Sequence, residues 1–202
     1  MRSLYTAHFD DFIDALVKAG MLPANIEPDG FLGSILFVFN GFSKAGQGGA
    51  FVRFYSPLNG GTIGQALRGN PVTATEPRKL VSAFRDSRGL PNGPQLYANM
   101  FINNTGLTSA GALAAGPVTV SIQAYANSTG QPVGTAIAKV IGPGQTASIS
   151  DVLHTLGVPA GESIVTVTAT ALDGTAALAG AAVEIDQTTR DGSVVDMYRL
   201  EF

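Results

Sequence analysis

The chain contains no cysteine, no tryptophan and few charged residues. The missing cysteine excludes disulfide bonds, thiolate metal sites and cysteine nucleophiles, although it does not identify the compartment. Charged residues make up 13% of the sequence, which is about half the usual share for a soluble domain. Thr, Ser, Asn, Gln and Gly must therefore cover the surface, a composition that suits secreted or assembled bacterial proteins better than cytosolic enzymes.

The few charges are divided unevenly along the chain. Residues 1–95 carry nine Lys/Arg and seven Asp/Glu, a sum of +2, whereas residues 96–202 carry three and eight, a sum of −5. Chance explains such a division, but opposite potentials would also steer one subunit head-to-tail onto the next. The net charge of −3 disfavours nucleic acid as a partner.

Long apolar runs are absent as well. No stretch approaches the roughly 20 residues of a transmembrane helix, so we expect no membrane span. The first residues lack the charged-then-apolar order of a secretory leader because Asp10, Asp11 and Asp14 interrupt it. We therefore expect either a cytoplasmic protein, as a virion protein would be, or a numbering that begins after a removed leader.

The clearest helical pattern lies near the start of the chain. Apolar residues recur there at the i, i+3, i+4, i+7 spacing of an amphipathic helix, namely Phe9, Phe12, Ile13, Leu16 and Val17. Thr6 is the predicted N-cap, Gly20 the predicted left-handed residue after the helix, and Pro23 prevents its continuation. Such a helix has an apolar face to bury.

Residues 30–42, GFLGSILFVFNGF, predict a strand that is apolar on both faces. A strand with one face in water would alternate apolar and polar residues. One face here carries Phe31, Ile35, Phe37 and Phe39, and the other carries Leu32, Leu36 and Val38. The N-terminal helix is the economical cover within one chain, and a second copy would be the cover in an assembly.

Turn signals divide the second half of the chain into short strands. Seven are predicted after residue 95: Leu96–Asn103, Pro117–Ala126, Pro132–Val140, Gln145–Ser148, Ser163–Ala171, Ala176–Asp186 and Ser193–Phe202. One short helix, DVLHTL, follows the predicted cap Ser150. We therefore expect a mainly β protein, an antiparallel Ig-like or jelly-roll-type β-sandwich with one N-terminal amphipathic helix.

One stretch resembles a known kind of module. The sequence VTVSIQAYANSTGQPVGTAIAKVIGPGQTASISDVL is similar to the Ig-like modules repeated in bacterial extracellular proteins, with matching points at Tyr125, Gly130, Val133-Gly134, Pro143-Gly144 and Asp151. The resemblance covers roughly residues 96–202. It implies a structural or adhesive module rather than an enzyme.

Three segments are expected. Residues 1–29 form a helical arm and linker, and residues 96–202 form the Ig-like sandwich. Between them, residues 30–95 are expected to form a β-hairpin, which pairs 31–40 with 49–56, and a loop-rich region packed on the sandwich. Within that region only Thr62–Leu67 and Lys79–Phe84 have strand character.

Residues with catalytic or metal-binding chemistry are scarce. His8 and His154 have no clustered partners for zinc, and Gly46–Gly49 completes neither Gly-rich phosphate-binding pattern. The loop Asp186–Asp191 is the closest approach to a calcium loop. We therefore expect no enzyme, no metal site and no cofactor.

Two further features concern the surface. Asn103 and Asn127 begin Asn-X-Thr glycosylation sequons. In the final segment, SVVDMYRLEF, Tyr198, Leu200 and Phe202 alternate with polar residues. That strand would close the sandwich edge within one chain, or complete the sheet of a neighbouring copy by β-augmentation.

Taken together, these patterns predict a structural subunit of an extracellular filament or cell-surface assembly. It would self-associate into a homopolymer through its N-terminal arm and edge strands, by way of Phe9, Phe12, Ile13, Leu16, Val17, Phe31, Phe37, Phe39, Tyr198, Leu200 and Phe202. A virion coat or decoration protein is one alternative. An adhesive module that binds glycan or a host surface through the 57–95 loops is another.

Overall fold

The computed structural model describes residues 11–25, 51–58, 61–68, 78–90, 93, 95–108, 112–114, 116–189, 192–195 and 197–199. The chain divides into two compact units, Met1–Gly33 and Ser34–Phe202. The predicted strand at 31–40 lies outside the described residues.

The first unit contains the amphipathic helix α1, Phe12–Lys18. The prediction that Thr6 caps this helix is wrong, because extended Asp11 is the N-cap and its side chain accepts a hydrogen bond from the backbone N–H of Asp14. The helix ends as predicted at Gly20, which has a φ of +69° and donates to the carbonyl of Val17. Because the next N–H donates to the carbonyl of Leu16, the end is a Schellman motif.

The second unit begins its described part with a two-stranded antiparallel hairpin. Strand β1, Phe51–Leu58, pairs with β2, Gly61–Arg68, so that Leu58 lies opposite Gly61. The predicted strand Thr62–Leu67 therefore exists and belongs to this hairpin. Whether residues 31–40 also pair with β1, as predicted, lies outside the described residues.

The remaining strands form two antiparallel sheets. The strands are β3, Lys79–Arg85; β4, Leu96–Asn104; β5, Val118–Ala126; β6, Pro132–Ile141; β7, Thr146–Ile149; β8, Ile164–Ala171; β9, Leu178–Asp186; β10, Gly192–Val195; and β11, Tyr198–Arg199. One sheet has the order β10-β9-β4-β7, and the other has the order β11-β3-β8-β5-β6. A short helix α2, Val152–Thr155, connects β7 to β8 and thus joins the two sheets.

A hydrophobic core fills the space between these sheets. Its buried residues include Leu80, Phe84, Val118, Val120, Ile122, Val165 and Val167 from the five-stranded sheet, and Ala98, Met100, Ile102, Ile149, Leu178 and Ala182 from the other. They recur at every second position, as in β5, because successive side chains point to opposite faces of a strand. Each fully buried Val, Ile or Met contributes about 1.5–3 kcal/mol.

This architecture confirms the prediction of a mainly β protein with an antiparallel sandwich and a short N-terminal helix. The sandwich also includes β3, which lies before the expected start at residue 96 and pairs with β8 along its whole length. The last predicted strand, Ser193–Phe202, is divided in the described residues: β10 pairs with β9, whereas β11 pairs with β3 in the opposite sheet. Met197, which is 7% exposed, marks the crossing between them.

Candidate functional site

The edges of the two sheets are the places where this fold can add a further strand. β7 and β10 are four-residue edge strands, which limits the hydrogen bonds they could offer. The edge of β3 is covered by β11 at two positions, Leu80 and Val81. β6 is different, because it is ten residues long and lies at the end of its sheet.

Hydrogen bonding shows which backbone groups of β6 are used by its neighbour. The N–H of Leu172 donates to the carbonyl of Thr119, so Thr119 directs its backbone groups toward β8. Because these directions alternate in an antiparallel ladder, Val120 directs its groups toward β6, where it lies opposite Lys139. Lys139 therefore directs its backbone toward β5.

The alternate residues of β6 face the free side of the sheet. Ala138 and Val140 direct their backbone N–H and C=O groups away from β5, as does the C=O of Ala136, which shares a peptide plane with the N–H of Ile137; the side chains of all three are exposed. Val140 is 70% exposed. In the described part of the chain no hydrogen bond from another element covers these groups. The result is a short, nearly uncharged stretch of open strand edge.

A β-bulge and helix α2 bound this open stretch on its N-terminal side. Ile122 lies opposite Ile137 and Ala124 opposite Val133, so three residues of β6 face one residue of β5. Immediately after the left-handed Gly134, the N–H of Thr135 donates to the carbonyl of Leu156 at 2.7 Å. The edge is therefore closed at Thr135 and open from residue 136 to residue 140.

One charged residue, Lys139, lies within the open stretch of the edge. Lys139 lies opposite core residue Val120, on the face of β6 that is directed toward the sandwich interior, yet Lys139 itself is exposed. A long side chain at an edge can reach past the core to water. Inward-pointing lysine on an edge strand is one of the features that discourage indiscriminate pairing. Any partner of this edge must tolerate a positive charge at that position.

A groove lies between β3 and β10, at the opposite end of the five-stranded sheet from β6. Its volume is about 480 Å³, and it is lined by Val81, Ser82, Ala83, Arg85, Thr166, Glu184, Ser193, Val194 and Val195. Glu184 is 4% exposed and accepts hydrogen bonds from the backbone N–H and the Nε of Arg85, at 2.6 and 2.9 Å. The carboxylate thereby covers part of the β3 edge that β11 leaves free.

The structure describes only some of the residues predicted to mediate self-association. Phe12, Ile13, Leu16 and Val17 lie on α1, and no residue of this helix is buried. Tyr198 lies in β11, opposite Val81. Phe9, Phe31, Phe37, Phe39, Leu200 and Phe202 lie outside the described residues.

The two sequon asparagines have different surroundings. Asn103 is 8% exposed, and its amide nitrogen donates to the carbonyl of Gln145 and the hydroxyl of Thr146. Asn127 is exposed at the turn between β5 and β6. A glycan on Asn103 would break these two hydrogen bonds, so Asn127 is the better placed of the two.

Among the described residues, the other candidate metal-binding groups do not form a cluster. His154 is exposed on α2, and Asp186 accepts hydrogen bonds from the backbone N–H groups of Thr188 and Thr189 in a turn. Among the described residues, no three His, Cys, Asp or Glu side chains lie close enough to hold a metal ion. His8 and Gly46–Gly49 lie outside the described residues.

The open edge of β6 was not singled out from the sequence. A signal was present, because PVGTAIAKVI carries one charge and does not alternate polar with apolar residues. That pattern resembles a strand buried on both faces, and only the sheet order shows that β6 lies at an edge.

No family model matches the chain, and neither the curated proteins nor the solved structures contain a detectable match. Within the described residues, no helix is long and apolar enough to cross a membrane.

Proposed function

We propose that the protein is a structural subunit that self-associates into an extracellular filament or surface assembly. The observation that carries the proposal is the apolar face of α1, which is only half-buried. Its residues Phe12, Ile13, Leu16 and Val17 recur at the spacing of one helical face, and each of them keeps part of its surface accessible. Burial of such a face in an assembly would gain about 25 cal/mol for each Å² of apolar surface removed from water.

Three further observations support this proposal. The charged share of 13% keeps electrostatic repulsion between copies low. The open edge of β6 offers backbone donors and acceptors to a further strand. The resemblance of the second half to bacterial extracellular Ig-like modules agrees with a location at the cell surface.

The test is a charge placed on the helix face. Phe12→Asp should abolish the concentration-dependent growth of large assemblies, because a carboxylate would have to be buried without a partner. Met21→Asp is the matched control, since Met21 follows the helix and is 72% exposed. Both variants and the unmodified protein are compared by light scattering and negative-stain electron microscopy.

Three outcomes are distinguishable. Loss of assembly in Phe12→Asp alone, with an unchanged circular dichroism spectrum, supports contact through the helix. Unfolding of Phe12→Asp would instead mean that the helix packs within its own chain. If the unmodified protein stays a 20.8 kDa monomer at every concentration, self-assembly is excluded as its function.

The same electron micrographs show the form of the assembly. Filaments would agree with a cell-surface role, whereas closed shells, or decoration of a pre-existing particle, would favour a virion protein. The contacts themselves would be of the same kind in both cases, because a heterologous contact forms a ring or a fibre according to its rotation.

A further inference from the structure

We propose that β6 is a self-recognition edge, at which two copies pair antiparallel about a twofold axis through Ala138. The two five-stranded sheets would then form one continuous sheet. The choice of a second copy as partner rests on the proposed function, whereas the location and the register follow from the geometry of β6.

The open stretch of edge fixes where pairing can occur. Ala136, Ala138 and Val140 have outward backbone groups, and the bond from Thr135 to Leu156 closes the edge before them. A twofold axis at Ala138 places Ala136 opposite the partner's Val140, so each outward residue of one copy meets an outward residue of the other. A shift toward the N-terminus would place Val140 opposite the segment that α2 already closes.

Side-chain sizes agree with this register. Ala138 would meet the partner's Ala138, and the larger Val140 would lie beside the small Ala136 of the partner subunit. Val140 is 70% exposed in the single chain, and this pairing would cover it. Leu172 is 63% exposed. Thr119 lies between Leu172 and Val140, because it bonds the first and pairs with the second, so Leu172 extends the apolar surface from the edge toward the middle of the sheet.

Charge agrees with the same register. Lys139 is the one charged residue of β6, and pairing about Ala138 places it opposite Ile137 of the partner subunit. Pairing about Lys139 itself would place two lysines directly opposite each other, which is destabilising. The lysine thus disfavours a competing register and leaves the proposed one free of like-charge contact.

The pairing would be limited in extent. A twofold contact uses the same surface on both copies and closes on itself, so it forms a dimer and not a fibre. Growth beyond the dimer needs a second contact, which the α1 face would supply. We therefore expect a dimer whose formation depends on protein concentration, because an edge of five residues is small for a stable interface.

Cysteine cross-linking tests the register directly, because the chain has no cysteine of its own. In a hydrogen-bonded antiparallel pair the Cα atoms lie about 5.5 Å apart, which a disulfide can span. Ala138→Cys should therefore form a disulfide-linked dimer on mild oxidation. Ala136→Cys should not, because its symmetry mate would lie about four residues away along the strand.

Ser148→Cys provides the matched control on another edge. Ser148 is exposed on β7, the edge strand of the opposite sheet, and its backbone points outward by the same alternation. Cross-linking of Ala138→Cys alone supports the proposed pairing. Equal cross-linking of all three variants would reflect random collision and would overturn it.

Proline substitution measures the same contact without a covalent bond. Ala138→Pro removes an outward N–H that the sheet does not use, so the monomer should fold and the dimer dissociation constant should rise roughly tenfold or more. Ser148→Pro should leave that constant unchanged. Sedimentation velocity over a concentration series measures both.

The proposal and the assembly function fail in different ways. If the unmodified protein assembles and Ala138→Pro assembles equally well, the β6 pairing is wrong and the assembly function stands. If Phe12→Asp gives a stable dimer that Ala138→Pro dissociates, the two contacts are independent. A monomer at all concentrations would remove both proposals.

Discussion

Glu184 and Arg85 join the two sheets of the sandwich at one end. Glu184 lies on β9 and shares the inner face of its sheet with Ala182, and its two carboxylate oxygens accept from the backbone and the guanidinium of Arg85 on β3. The carboxylate is 4% exposed, whereas the arginine side chain is 60% exposed. The buried carboxylate of Glu184 is therefore paired with a guanidinium that lies at the surface, and this ion pair links the two sheets.

Glu184→Ala should destabilise the fold. The substitution leaves the N–H of Arg85 without its partner, and an unsatisfied donor of this kind costs about 1–3 kcal/mol. Glu162→Ala is the control, because Glu162 bonds the exposed hydroxyl of Ser128 and should change the free energy of unfolding by less than about 0.5 kcal/mol. Urea denaturation measures both values, and equal losses would contradict the role given to Glu184.

Arg88→Ala should cost more than loss of a surface ion pair. Asp86 has a fully buried side chain, and it accepts from Arg88 through Nε at 2.8 Å and Nη2 at 3.0 Å. Removal of the guanidinium would leave a buried carboxylate that, among the described residues, is held by the backbone N–H of residue 88, and this loss costs about 3 kcal/mol. Lys18→Ala breaks the exposed pair with Asp14 and should leave the free energy of unfolding nearly unchanged. A small effect of Arg88→Ala in urea denaturation would show that water replaces the guanidinium.

Two glycines with similar backbone angles should respond differently to alanine. Gly134 and Gly144 have φ values of +67° and +73°. A Cβ at Gly144 would meet open space, so Gly144→Ala should cost only the backbone strain of about 1–2 kcal/mol. A Cβ at Gly134 would collide with the carbonyl oxygen of Leu156, which already accepts from Thr135. In thermal denaturation, the melting temperature of Gly134→Ala should therefore be well below that of Gly144→Ala. The reverse order would contradict the described contact between β6 and α2.

The carboxylate of Asp173 should make the stability of the fold depend on pH in the acidic range. Hydrogen bonds from the hydroxyl and the backbone N–H of Thr119 hold the pKa of Asp173 below its ordinary value of 3.8. Because the folded pKa is lowered, the stabilisation is present above the unfolded pKa and is lost as the pH falls through the folded pKa. Asp173→Asn should therefore lower the melting temperature at neutral pH and make little difference at an acidic pH below the folded pKa.

Thr119→Val is the control for that experiment. It removes the hydroxyl but keeps the backbone N–H, so it should reproduce part of the loss seen in Asp173→Asn at neutral pH. If the melting temperatures of Asp173→Asn and the unmodified protein differ equally at both pH values, the Asp173 carboxylate does not produce the dependence.

The β-strands were predictable because their signals are local. Strands such as β5 alternate apolar with polar residues, and the turn after Ala126 has Gly130 at a φ of +68°. The C-terminal end of α1 was predictable for the same reason, since Gly20 meets a backbone requirement that few other residues satisfy.

Features that depend on distant contacts could not be predicted in the same way. Ser150 was the expected cap of α2, but Asp151 holds that position with a φ of +43° and makes no side-chain cap bond. Its N–H instead donates to Asn99 on β4, a residue far away in sequence. The division of the last strand is similar, because the alternation of SVVDMYRLEF contains no sign that the chain changes sheets at Met197.

The pairing of β3 with β8 and β11 determines when this protein can fold. Among the described strands of the sandwich β3 is synthesised first, but its partners are β8, whose first residue is Ile164, and β11, which ends at Arg199. While the ribosome adds the intervening residues, β3 has no native neighbour in its own sheet and remains available to other chains or to chaperones. The five-stranded sheet therefore cannot be completed until synthesis has passed Arg199, and the rate at which nascent chains meet one another before then will influence the yield of folded protein.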